Sequence, residues 1–208
     1  MRQMNKFDSV ILDADFCIKL GNYESESLAF IKFVVNSLCN KAYIHEYVYK
    51  NEILTPVNAR KQLKDLIDNG KLEVLHEDNL DFLDKNVFEE TKKLLKQRMI
   101  GTKEEGKNWG EVLSLSMAKT KNIPILMSDE WELQSIIDQV LNIDPESSNK
   151  IRVFRLKHLI EFIHCNSECN IKRKTARAMW IAATHKDDED PNIAKMKFDK
   201  IWPPQDKI

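Results

Sequence analysis

Val10-Ile11-Leu12-Asp13-Ala14-Asp15 is the stretch on which the fold turns. Its three consecutive apolar residues, two of them β-branched, show no polar alternation. They fit a strand buried on both faces, as in a parallel sheet covered by helices on each side. The two carboxylates that follow stand at the carboxyl edge of such a sheet, where open α/β folds bind their ligands.

A second segment of the same kind lies far downstream. Ile123-Pro124-Ile125-Leu126-Met127 runs into Ser128-Asp129-Glu130, so two strands end in acids. Between and around them, shorter strand-like pieces at Ala42-Tyr43-Ile44, Leu72 to Leu75 and Ile151 to Phe154 alternate with stretches of helical periodicity. The helical stretches are 24–40, 45–54, 56–67, 79–99, 109–120, 131–141 and 156–164. Strands alternating with helices predict a three-layer α/β/α sandwich around a central, mostly parallel sheet. Gly101 to Asn108 reads as a polar loop.

Length and charge narrow the function classes. At 208 residues the chain suits one well-buried domain with an appendage. We expect the domain over residues 1–165 and a charged extension over 166–208. No apolar run approaches the roughly 20 residues that cross a bilayer, and Met1 to Asp8 carries no apolar leader, so the expected location is the cytoplasm. Charged residues make up 31% of the chain, yet the net charge is −1, which leaves no global basic field; any nucleic-acid contact must be local. The candidates are Lys172, Arg173, Lys174 and Arg177 in the extension. The four cysteines lack the spacing of a disulfide framework, and Cys165 and Cys169 beside His164 make only a thin zinc pattern.

Carboxylates brought together at one sheet edge repel by several kcal/mol in a poorly solvated cleft unless a cation sits among them. Oxygen donors of that kind suit Mg²⁺ or Mn²⁺. Asp129 also has a structural reading, as the N-cap of the helix beginning near Trp131.

With these motifs in order, the chain over about residues 8–160 resembles the PIN-domain family, metal-dependent nucleases that include bacterial toxins of toxin–antitoxin pairs. The resemblance rests on Val10 to Asp15, on Glu52-Ile53-Leu54, on Gly110-Glu111 opening a small-residue helix, and on Ile125 to Glu130. It implies Asp13, Glu52, Glu111 and Asp129 as catalytic metal ligands, with Asp15 and Glu130 as neighbours able to join. Glu46 is the reserve for Glu52. It further implies an endoribonuclease that hydrolyses single-stranded RNA, with an antitoxin or other protein partner, or a second copy of the chain, as companions.

Two other readings compete. A PIN-like module that only binds RNA or protein would keep the fold without the chemistry. Asp13-Ala14-Asp15 is also similar to the opening motif of haloacid-dehalogenase-type phosphatases, in which Asp13 would be the nucleophile. Phe16-Cys17-Ile18 then stands where that family has a threonine, and the second spaced acid after Asp129 is missing.

Overall fold

The computed structural model describes residues 6–21, 24–25, 28–101, 108–144, 146, 149–166, 169, 171–184 and 190–204. Their strands are β1 (Phe7–Leu12), β2 (Glu24–Ser25), β3 (Leu28–Ala29), β4 (Cys39–His45), β5 (Glu73–Leu75), β6 (Ile125–Met127) and β7 (Arg152–Phe154). The helices are α1 (Ala14–Gly21), α2 (Phe30–Leu38), α3 (Val57–Asp68), α4 (Phe82–Met99), α5 (Trp109–Thr120), α6 (Leu133–Val140), α7 (Leu156–Cys165), α8 (Arg173–Thr184) and α9 (Pro191–Ile201).

Five strands form one all-parallel sheet in the order β5-β4-β1-β6-β7. β1 is central, in register with β4 (Leu12 opposite Ile44) on one side and with β6 (Leu12 opposite Met127) on the other. Its alternation divides it between two cores. Val10 and Leu12 pack with α1, α2, α3 and α7, whereas Ile11 points to the opposite face with α4, α5 and α6. Each residue of this run is at most 1% exposed, which is why the run reads as continuously apolar. The fold is therefore the expected α/β/α sandwich.

Several elements depart from expectation. Helix α1 begins immediately after Asp13, in a stretch given no helix from sequence; its eight residues carry their apolar positions Phe16, Cys17 and Leu20 on one face. The helix expected over 24–40 is confined to 30–38, because the short hairpin of β2 and β3 precedes it and β4 begins at once at Cys39. Residues 48–52 form a π-helical turn. Most of the polar loop before α5, residues 102–107, lies outside the described residues.

Beyond residue 165 the described segments form a helical pair rather than a projecting tail. Ala176, Met179, Trp180, Ala183, Ala194 and Phe198 belong to the same core as Val10 and Leu12. The buried indole of Trp180 donates to the Ala194 carbonyl at 2.9 Å, joining α8 to α9. Among the described residues, no helix is long and apolar enough to cross a membrane.

Candidate functional site

The central strand delivers Asp13 to the carboxyl edge of the sheet. The Asp13 amide donates to the Met127 carbonyl at 3.0 Å, extending the β1–β6 pairing by one residue, while its own carbonyl accepts from the Cys17 amide at the head of α1. The backbone is thus fixed on both sides. Its side chain is 1% exposed, and among the described residues neither carboxylate oxygen has a hydrogen-bond partner. Burial, then the charges of Asp15 and Glu111, push this carboxyl well above the ordinary aspartate range. The Ala14 amide and the Ser128 hydroxyl temper that shift without standing in bonding geometry.

Asp15, on the first turn of α1, faces the exit of β6. Its carboxylate accepts from the Asp129 amide at 3.0 Å and from the Ser128 hydroxyl at 3.3 Å. Its carboxyl is nonetheless raised to about 6, chiefly by burial, so two donors do not offset the loss of water.

Glu52 and Glu111 enter from the other side. Glu52 ends the π-helical turn, and its carboxylate accepts from the Gly110 amide at 3.1 Å, next to the start of α5. The glycine leaves room for this contact: a Cβ at that position would meet the Glu52 carboxylate, which would have to shift. Glu111 follows directly in the first turn of α5, and its carboxyl is pushed up to about 7 by burial, then by the charges of Glu52, Asp15 and Glu130. Glu130 is exposed at the mouth. Together with Glu111, Asn108 and Met99 it lines a shallow cavity of about 60 Å³.

Four of the expected acids, Asp13, Asp15, Glu52 and Glu111, therefore converge with Glu130 at their edge. Two do not join them. Glu46 turns outward to His76 Nδ1 at 3.0 Å and to Lys50, and its carboxyl is lowered by those partners. Of the two, Glu52 is the one that lies beside Glu111. Asp129 is close by but engaged: one oxygen meets Lys19 Nζ at 2.8 Å and the other accepts from the Leu156 amide at 3.2 Å. It does cap a helix, but that helix is α7 rather than the one after Trp131. Lys19 was missed from sequence, although its place four residues after Asp15 is the ordinary acid-to-base spacing on a helix.

The basic candidates of the extension lie in and just before α8. Arg173 is committed internally, its guanidinium donating to the carbonyls of Trp202 (2.7 Å) and Pro203 (3.1 Å) and pairing with Asp199. Trp202 stacks on His164 at the end of α7 opposite the Asp129-capped end. The guanidinium of Arg173 is thus taken up by contacts at the far end of α7. Lys172 and Lys174 are exposed, and Arg177 is half-buried. Cys165 is exposed and Cys169 buried, neither in a disulfide.

Among the described residues, no group of three or more His, Cys, Asp or Glu side chains stands in a ready metal-holding arrangement. The fit to a cation lies in the donors: a buried carboxylate with both oxygens unpartnered, facing further carboxylates. Fold and site define an α/β/α protein with an acidic cleft at the carboxyl edge of a parallel sheet. Comparison with known protein families, curated proteins and solved structures finds no match for the chain.

Proposed function

We propose that this protein is a metal-dependent phosphodiesterase of the PIN type, an endoribonuclease acting on single-stranded RNA. The observation that carries the reading is Asp13, a carboxylate 1% exposed with both oxygens unpartnered and two more acids raising its pKa. Leaving such a group uncompensated costs several kcal/mol, which a structure tolerates where a cation offsets the cost or where function demands it. An all-oxygen donor set suits Mg²⁺ or Mn²⁺ rather than zinc or copper.

Asp13, Asp15, Glu52 and Glu111 would hold the ion, with Glu130 at the cleft mouth. When bound, a divalent ion supplies an activated water and neutralises charge on the phosphate. The chain's own residues do the positioning. The Gly110 amide fixes Glu52, while the Ser128 hydroxyl and the Asp129 amide aim Asp15. Glu111, its carboxyl raised to about 7, holds a proton over part of the neutral range and would give it up where it served as a ligand. Trp131, 73% exposed immediately after Glu130, offers a ring on which an unpaired base can stack. An RNA-cleaving toxin restrained by an antitoxin is the biological setting this reading suggests.

The test is cleavage of labelled single-stranded RNA with Mn²⁺ or Mg²⁺ by wild type, Asp13→Asn and Glu111→Gln. Both substitutions should lower the rate at least about 100-fold. RNA bound but left whole by the wild type in either metal would replace the nuclease with a binding module.

A further inference from the structure

Three strands end in step at the carboxyl edge of the sheet. Leu12 of β1 lies opposite Met127 of β6, and Met127 lies opposite Phe154 of β7. The residues that follow are Asp13, Ser128 and Arg155, so an acid, a hydroxyl and a cation stand in one row. Adjacent strands are about 4.8 Å apart, which puts the Arg155 backbone roughly 10 Å from that of Asp13. Val153 belongs to the core under α4, α5 and α6, Phe154 packs on the opposite one, and Arg155 is still extended, at φ −94° and ψ 168°. The alternation therefore sends its side chain to the face on which Asp13 meets Glu111.

No contact within the chain accounts for an arginine there. Among the described residues its guanidinium has neither an ion pair nor a hydrogen bond, and its Nη2 is buried without a partner. Arg155 also occupies the N-cap of α7, where a cation faces the positive end of the helix dipole and has no oxygen to offer the helix amides. Asp129 does that capping instead, at the Leu156 amide. Ser128, fully buried between Asp13 and Arg155, turns its hydroxyl to Asp15. A guanidinium drawn partly out of water in this way is costly unless an anion joins it.

We propose that Arg155 is the phosphate-binding residue of the cleft. Its planar fork takes two non-bridging oxygens of an RNA phosphate on the β7 side of the row, across from the acids of β1 and α5. The inference rests on the phosphodiesterase reading of those acids and supplies what they lack, since carboxylates alone repel a polyanion. Arg173, by contrast, has its guanidinium engaged by Trp202, Pro203 and Asp199.

The test is binding of labelled single-stranded RNA in EDTA, where no metal supports cleavage, read by fluorescence anisotropy from about 50 to 200 mM KCl. Arg155→Gln should weaken binding at least about tenfold and lower the slope of log affinity against log salt by about 0.7, the value of one phosphate contact. Its far-UV circular dichroism spectrum should match the wild type. Arg155→Lys should keep the slope and recover only part of the affinity, because an ammonium lacks the fork. If Arg155→Gln does not fold, Arg155→Lys carries the test, and undiminished affinity in it overturns the inference. So does an Arg155→Gln variant with unchanged affinity, or with weaker binding at an unchanged slope. A wild type that fails to bind RNA overturns the inference together with the RNA reading. A wild type that binds through Arg155 but cleaves in neither Mn²⁺ nor Mg²⁺ upholds the inference and overturns only the hydrolytic reading.

Discussion

Lys19 and Asp129 form an ion pair at 2.8 Å, each side chain about one-fifth exposed, joining α1 to the exit of β6. Because Asp129 also caps α7 through the Leu156 amide and donates its own amide to Asp15, one residue ties three elements around the acidic cleft. Substituting Asp129 by alanine removes the pair and the cap. The expected loss is about 2–3 kcal/mol in urea unfolding, against about 1 kcal/mol for Asp129→Asn, which keeps a capping oxygen.

The raised carboxyls make a definite prediction about pH. Asp15 rises from 3.8 to about 6 and Glu111 from 4.5 to about 7 on folding, and Asp13 moves in the same direction. A group protonated more readily in the folded state favours folding at low pH, so stability falls as pH rises from about 4 through 7. In metal-free buffer the melting temperature should decline across this window. Millimolar Mn²⁺ should flatten the decline by stabilising the deprotonated fold. A metal-free melting temperature that climbs between pH 4 and 7 contradicts the assignment.

Asp13→Asn should raise the metal-free melting temperature at pH 7.5, since it removes an unpartnered buried charge. The gain is expected to be of order 1–3 kcal/mol and to shrink toward pH 4, where the native carboxyl is itself neutral. Stabilisation together with loss of cleavage separates a functional role from a structural one.

Gly110→Ala tests the contact with Glu52. The new methyl group meets the flexible end of a side chain, so the fold should survive while the carboxylate is displaced. A loss of cleavage of about 10- to 100-fold is expected, with a parallel loss in Mn²⁺ affinity measured by calorimetry. Glu52→Gln should behave alike. Glu46→Gln should leave both quantities unchanged and alter stability by less than about 1 kcal/mol.

Arg173→Ala should unfold at lower denaturant, by about 2 kcal/mol, while RNA affinity stays as it was. Its bonds run to Trp202, Pro203 and Asp199, not toward the cleft.

How much of this was legible from the residues alone follows their physics. The β1 and β6 runs were readable because strands buried on both faces leave continuous apolar sequence, and the acids at their exits inherit their position from the backbone. The start of α5 was readable through Gly110-Glu111. Helix α1 was not, since eight residues opened by two acids give a weak periodic signal beside a strong strand. Sequence put Glu52 ahead of Glu46 only through the family pattern: both follow β4 closely, and the π turn decides which one faces inward. Nor could it show that Lys19 engages Asp129, because that pair depends on two elements meeting in space. The basic run Lys172 to Arg177 suggested substrate contact through composition alone, and the packing of α8 redirects Arg173 to the chain's own last turn.

The place of β1 in the sheet bears on how the protein is made. β1 leaves the ribosome before β4 and β6, yet it lies between them in the finished sheet. It can pair with β4 early, but its other edge waits for residues 125–127. Asp13 therefore emerges long before Ser128 and Asp129, and the acidic edge stays incomplete until β6 and its exit have been made.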